Sequence, residues 1–143
     1  MGNTETYTDS IEKALTSTIR KMMAEVTQHQ ALGITGGQFH LLNIIEEEGV
    51  TNTKHLASVL NVKPSAVTVM IERLVKHGFV ARNQDSNDRR TVLLSLTDDG
   101  RGVLNQARNE SKSVLKKYIS LLDEKEIHCL ISIFEKFASI QTK

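Results

Sequence analysis

The periodicity of apolar residues changes at Gly78, and this change constrains the fold of the 143-residue chain more than any other feature. Before Gly78, apolar residues recur at spacings of three and four, which is typical of amphipathic helices. After it come two short stretches rich in β-branched and apolar residues, 79–82 and 91–96, with a polar segment between them. This pattern predicts a β-hairpin, so the chain should consist of helices that lead into a hairpin.

Four helices are predicted before the hairpin. The first carries an apolar stripe over residues 11–26, the second follows the cap residue Thr35, and the third spans residues 54–60. The fourth begins at Pro64, because a proline suits the first turn of a helix, and it ends before Gly78. Pro64 is the only proline in the chain. Long helices are therefore possible elsewhere, because no other proline is present to break them.

Two further helices are predicted after the hairpin. The Thr97 hydroxyl, followed by the carboxylates of Asp98 and Asp99, is typical of a helix start. Asp123 and Glu126 have the spacing of a capping box, which opens the last helix. The predicted fold is therefore mainly α with a minor β part (α+β minor), in the order α-α-α-α-β-β-α-α.

The middle of this order, helix, turn, helix and hairpin over about residues 51–96, is a winged helix-turn-helix. The expected division of the chain is a DNA-binding lobe at 35–97, with a recognition helix at about 63–77 and a wing at about 79–96, and a helical dimerisation region at 1–34 and 98–143. Dimerisation is expected because the apolar stripes of the terminal helices exceed what one small lobe can cover. A helical cap formed within one chain is the alternative.

The positive charge of the chain is concentrated in this middle part. The whole chain has a formal net charge of +1, but residues 50–95 hold seven basic and three acidic side chains, a net charge of +4. Residues 1–49 hold three basic and seven acidic side chains, a net charge of −4. A local positive excess is what a surface that faces phosphates needs.

The recognition helix should bury Val67, Met70, Ile71 and Leu74 and present the opposite face to DNA. The DNA-binding residues predicted on it are Lys63, Pro64, Ser65, Thr68, Val69 and Arg73. Val69 has two interpretations: an ordinary exposed apolar residue, or a contact to a thymine methyl group. Pro64 starts the helix whether or not DNA is bound.

The loop between the two strands is the second predicted contact. A wing that enters a narrow minor groove needs a guanidinium at its tip. Asp85 and Asp88 are expected to hold the turn through hydrogen bonds to backbone N–H groups and through ion pairs to Arg89 or Arg90. The DNA-binding residues predicted here are Arg82, Asp88, Arg89 and Arg90. An ordinary polar hairpin loop is the alternative.

Three motifs in this order resemble the MarR family of bacterial transcriptional regulators. Residues 54–82 follow its two-helix pattern that ends in G-[LF]-V-x-R, residues 85–90 match D-x-x-D-x-R, and residues 96–100 match L-T-x-x-G. The resemblance implies a homodimer that binds an inverted-repeat operator in double-stranded DNA. It also implies that Arg90 enters the minor groove, with Asp88 and Arg89 in support.

The resemblance further implies a small phenolic or lipophilic effector. The residues that could line its pocket are Met22, Met23, His29, Phe39 and His40, although such helix residues are more often ordinary core or surface. His29 and His40 also suggest zinc, but Ala107 and Ser111 stand where further ligands are needed, so no metal and no cofactor are predicted. Cys129, the only cysteine, is expected to be a buried, inert thiol beside Leu130.

An enzyme is not expected, because the chain has no glycine-rich phosphate loop and no nucleophile with an evident partner. The acidic run 46–48 is expected to be a solvated helix end. No stretch approaches about 18 consecutive apolar residues, so no membrane span is predicted, and a cytoplasmic location is expected. The predicted function is a DNA-binding transcriptional regulator, more specifically a repressor that an effector releases. The alternative is a winged-helix module that docks proteins without DNA specificity.

Overall fold

The structure is a computed structural model that describes residues 3–28 and 33–141. Its elements are α1 (Thr4–Gln28), α2 (Gly36–Glu48), α3 (Thr53–Leu60), α4 (Pro64–Lys76), β1 (Val80–Gln84), β2 (Val92–Leu96), α5 (Asp98–Ile119) and α6 (Glu124–Ala138). The predicted order and fold class are confirmed. No helix in these two ranges is long and apolar enough to cross a membrane.

The helix starts follow from local capping chemistry. At α2 the Thr35 hydroxyl accepts a hydrogen bond from the Gln38 N–H (3.2 Å), and the Gln38 side chain accepts one from the Thr35 N–H (2.9 Å). Asp123 and Glu126 form the predicted capping box at α6, with both bonds at 2.9 Å. Each pair satisfies N–H groups that have no partner inside the helix.

The chain divides into two compact units, 1–23 with 111–143 and 24–110. The second unit contains α2, α3, α4, both strands and the first half of α5, whereas the sequence-based division placed all of α5 with the terminal helices. Its core consists of apolar side chains from every one of these elements. The fully buried ones are Leu41, Leu42, Ile45, Leu56, Val67, Leu74, Leu94 and Leu104.

Helix α4 is held by this core along one face. Val67, Ile71 and Leu74 are buried, and Met70 is half-buried against the same cluster. These are the four positions that the helical period predicts to face inward. Rotation of α4 about its axis would expose this apolar stripe. The buried face therefore fixes which side chains of α4 face solvent.

The first unit leaves many apolar side chains uncovered within a single chain. Those exposed on α1 are Tyr7, Ile11, Leu15, Ile19 and Met23, and those on α6 include Leu130, Ile131, Ile133, Phe134 and Phe137. No residue of α6 is buried. Cys129 is consequently exposed, and the prediction of a buried thiol was wrong because none of the residues that the structure describes covers this part of α6.

The strands form a two-stranded antiparallel sheet in which Val80 pairs with Leu96 and Gln84 with Val92. Thr51, which precedes α3, extends this sheet by one residue. Its N–H donates to the Leu94 carbonyl (3.0 Å), and the Leu94 N–H donates to the Thr51 carbonyl (2.8 Å). The wing is thereby tied to the start of α3 by backbone hydrogen bonds.

Thr51 also provides a stability test. Its side chain is buried, and its hydroxyl has no hydrogen-bond partner among the described residues. Because an unsatisfied buried hydroxyl is destabilising, Thr51→Val is expected to raise the free energy of unfolding by about 1 kcal/mol, measured by urea denaturation. Thr91→Val is the matched control, since the Thr91 hydroxyl donates to Asp88 (3.2 Å). An equal gain in both variants would refute this explanation.

The junction between the wing and α5 is closely packed. Gly78 ends the α4 segment with a φ of +80°, which suits glycine. The Thr97 hydroxyl donates to the Gly78 carbonyl (2.5 Å) and accepts from the Gly100 N–H (3.0 Å). A Cβ on Gly100 would lie 2.0 Å from the Phe79 carbonyl oxygen. The threonine and glycine of the L-T-x-x-G motif therefore hold α5 against the start of the wing.

The acidic run at the end of α2 is only partly solvated. The Arg108 guanidinium donates to the Glu46 carboxylate and to the Asn43 side-chain oxygen (2.8 Å). Glu48 pairs with the imidazole of His55 at 3.2 Å. The prediction of a solvated helix end was wrong for Glu46, whose side chain is half-buried by this contact with α5.

Candidate nucleic-acid interface

The turn between α3 and α4 positions the start of the recognition helix. Asn61 ends α3 in the left-handed conformation, with a φ of 51°. The next N–H group, that of Val62, donates to the Ala57 carbonyl (3.1 Å), which closes the turn. Lys63 then forms the N-cap of α4 and makes no side-chain cap bond, so its exposed ammonium group can approach a ligand.

The first turn of α4 leaves one backbone donor for an outside acceptor. Pro64 has no N–H group. The N–H groups of Ala66 and Val67 bond to the Lys63 carbonyl, at 3.0 and 3.4 Å. The Ser65 N–H and the exposed Ser65 hydroxyl are therefore the groups that this end of the helix can offer to a phosphate or a base.

The outward face of α4 carries mostly polar side chains. Besides Ala66, the exposed residues on it are Ser65, Thr68, Val69, Glu72, Arg73 and Lys76. The Thr68 hydroxyl donates to the Pro64 carbonyl (3.0 Å), so toward DNA it can act mainly as an acceptor. Val69 is 49% exposed. The predicted facing of these residues agrees with the structure, while their contacts to DNA remain predictions.

The wing loop is ordered by its two carboxylates. Asp85 accepts a hydrogen bond from the Asn87 N–H (3.0 Å), and Asp88 accepts one from the Arg90 N–H (3.0 Å). These bonds confirm the predicted turn chemistry. No ion pair joins either carboxylate to Arg89 or Arg90 in the described part of the chain, so that prediction was wrong: backbone groups and the Thr91 hydroxyl occupy the Asp88 oxygens.

The two wing arginines are consequently available to a ligand. Arg89 and Arg90 are exposed, and their guanidinium groups have no ion-pair partner among the residues that the structure describes. Arg82 is also exposed, on β1 opposite Leu94. A guanidinium that is uncompensated within the chain is suited to the negative potential of a narrow minor groove.

Lys54 lies beside the wing, although it was not among the residues predicted to bind DNA. A groove of about 340 Å³ is lined by Asn52, Thr53, Lys54, Arg90, Thr91 and Val92, so Lys54 and Arg90 line the same depression. Asn52 caps α3 by accepting from the His55 N–H (2.9 Å). The sequence already placed Lys54 at the start of the third helix, but its position beside the wing depends on a tertiary contact that no local pattern shows.

The candidate effector residues lie in both units. Met22 is half-buried and Met23 exposed on α1, in the first unit; in the second, Phe39 is half-buried against the core and His40 is exposed. His29 lies outside the described residues. No group of three or more metal-binding side chains occurs within residues 3–28 and 33–141. The effector pocket remains a prediction.

Comparison with known proteins agrees with this geometry. The family model of the MarR family matches residues 34–92. The chain is 30% identical over 139 residues to the HTH-type transcriptional repressor MdtR of Bacillus subtilis, covering 96% of this chain and 90% of MdtR. Among solved structures, the YusO protein of Bacillus subtilis is similar with a TM-score of 0.80 and 28% identity, over 97% of this chain and 99% of YusO.

A second solved structure contains DNA. It is a mutant of MarR from E. coli complexed with operator DNA, with a TM-score of 0.72 and 26% identity, over 90% of this chain and 93% of that one. The similarity to MdtR extends over nearly the whole of both chains, so it includes the terminal helices as well as the winged helix. The chain therefore belongs to the MarR family of winged-helix transcriptional regulators.

Proposed function

We propose that this regulator is a homodimeric repressor that binds an inverted-repeat operator through α4 and the wing. The observation that carries the proposal is the set of polar and basic groups exposed on one compact unit, residues 24–110. Helix α4, anchored by its apolar stripe, presents Ser65 and Arg73, and the loop ordered by Asp88 presents the uncompensated guanidinium groups of Arg89 and Arg90.

Each surface suits a different groove. The major groove admits an α-helix, and short side chains such as Ser65 let the backbone approach while Arg73 reaches a guanine edge or a phosphate. The narrow minor groove attracts a guanidinium, which we assign to Arg90. Lys54 is assigned to a phosphate near Arg90, since both line one groove. Asp88 orders the wing through its bonds to the Arg90 N–H and the Thr91 hydroxyl, and a supporting role for Arg89 is proposed from the family resemblance.

A second copy of the chain is the proposed partner of α1 and α6. Both helices expose rows of large apolar side chains, which monomeric soluble proteins rarely leave uncovered. A two-fold dimer would place two recognition helices about 34 Å apart, one turn of DNA. The two half-sites would then be related by an inverted repeat.

Repression and effector release complete the proposal. A dimer on a promoter can block polymerase by occupying it, and MdtR is named a repressor. A small lipophilic or aromatic effector is proposed from the family resemblance alone. Because the bacterial chromosome lies in the cytoplasm, the protein is expected to act there. The proposed role is DNA binding, so no enzymatic activity is proposed.

The function is tested by selecting bound sequences from random DNA duplexes with the full chain. We expect an imperfect palindrome, two chains per bound duplex, and an affinity that falls steeply between about 50 and 200 mM salt. Fluorescence anisotropy with the selected duplex and a scrambled duplex measures both affinities. No enriched sequence and equal, weak binding to both duplexes would contradict the proposal and favour a protein-docking module.

A further inference from the structure

An apolar cleft opens on the otherwise polar face that the proposed function turns toward DNA. It is broad and open to solvent, and its lining runs from Asn61 through the first turn of α4 to Val69. The apolar side chains in it are those of Val62, Pro64, Ala66 and Val69, all exposed, with Val62 at 43% and Val69 at 49%. Lys63 and Ser65 supply a charge and a hydroxyl beside them.

The two valines are held in fixed positions. Val62 belongs to the turn that the left-handed Asn61 and the bond to the Ala57 carbonyl close. Val69 lies one turn after Ala66 on a helix anchored by Val67 and Ile71, and a β-branched side chain in a helix has one dominant rotamer. Ala66, whose side chain is small, lines the cleft beside them. The cleft is therefore preformed.

The chemistry of the major groove limits what such a cleft can contact. The thymine C5-methyl is the apolar group that the four base pairs present on their major-groove edges, beside an O4 acceptor. A cleft with apolar walls and adjacent donors on Lys63 and Ser65 is complementary to both features. Cytosine, which carries an amino donor and no methyl at these positions, matches neither.

We infer that the cleft of Val62, Ala66 and Val69 reads thymine methyl groups and selects thymine at the operator positions contacted by the start of α4. The inference rests on the proposed function, because it requires that α4 enters the major groove. Its specific content is that part of the sequence preference comes from an apolar contact and not from a hydrogen bond.

The test replaces thymine by deoxyuridine in the highest-affinity duplex selected from the random pool, one position at a time. This change removes only the C5-methyl and preserves base pairing. At one or more positions in each half-site, the wild-type protein should bind about fourfold more weakly without the methyl. In Val69→Ala the same replacement should change affinity less than about twofold, since the wall that the methyl contacts is gone.

Val59→Ala is the matched control. Val59 is 50% exposed on α3 and does not line the cleft, so this variant should keep the full sensitivity to deoxyuridine. Neither variant should impair folding, because both side chains are exposed and alanine favours helix. Val62→Ala should reduce the sensitivity at the same or a neighbouring position.

The outcomes separate the inference from the proposed function. Selected sites that bind tightly and depend on salt, but lack thymine in the contacted segment or tolerate every deoxyuridine, would overturn the inference and leave DNA binding intact. An equal sensitivity in wild type and Val69→Ala would also overturn it. If no duplex binds and an apolar peptide occupies the cleft instead, both the inference and the proposed function fail.

Discussion

Gly100→Ala is expected to lower the free energy of unfolding by about 3 kcal/mol and the thermal midpoint by about 10 °C. The added Cβ would lie 2.0 Å from the carbonyl oxygen of Phe79 and 2.9 Å from its carbonyl carbon. These are backbone atoms, which cannot rotate away as the end of a side chain can. Thr97 bonds to both sides of this junction, so relief of the clash must break those bonds or displace the wing.

Gly102→Ala, two residues later in α5, is the matched control. A Cβ at this position meets no atom within 4 Å. Since alanine favours the interior of a helix over glycine, this variant should gain about 0.5 to 1 kcal/mol. Circular dichroism at one fixed protein concentration compares the three proteins. Equal losses in both variants would show that contact with Phe79 is not the cause.

Arg90→Ala is expected to weaken binding to the selected duplex by roughly 10-fold to 100-fold, while the folded protein keeps its stability. The side chain is exposed, and its described hydrogen bond involves the backbone N–H, which alanine retains. The loss of a guanidinium in the DNA interface should also reduce the slope of log affinity against log salt by about 1. Titrations at several salt concentrations measure both quantities.

Two further variants show whether the loss of DNA affinity in Arg90→Ala depends on the position of the side chain or only on its charge. Lys125→Ala removes one positive charge from the first turn of α6, outside the winged helix, and should leave DNA affinity nearly unchanged. Arg90→Lys keeps the charge without the planar guanidinium and should recover only part of the affinity. If Arg90→Ala binds as tightly as the wild type, the minor-groove role assigned to Arg90 is wrong.

The winged helix could be predicted from sequence because its signals are local. The stripe of α4, its proline start and the turn bonds of Asp85 and Asp88 each depend on residues within a few positions of one another. The contact between Arg108 and Glu46 joins residues 62 positions apart, and the Thr51 bridge to Leu94 is similarly distant. Neither leaves a periodic or compositional trace in the chain.

The same difference explains the errors about Cys129 and the wing arginines. Cys129 stands among apolar residues, and composition alone suggests burial, but burial depends on whether another layer covers α6. Asp88 was expected to pair with a neighbouring arginine, but the closed turn brings the Arg90 N–H and the Thr91 hydroxyl to its carboxylate instead. In both cases the outcome depends on three-dimensional proximity.

The change of periodicity at Gly78, together with capping and turn residues, determined by itself that this chain folds as helices leading into a winged helix-turn-helix. Hydrogen bonds between near neighbours and the burial of one face dictate those elements, so sequence order is enough to predict them. Only the tertiary structure decided that Lys54 and Arg90 line one groove, that Gly100 must lack a Cβ, and that Val62 and Val69 share a cleft. Those facts depend on how separate elements approach one another, and packing, which acts between residues distant in sequence, sets that approach.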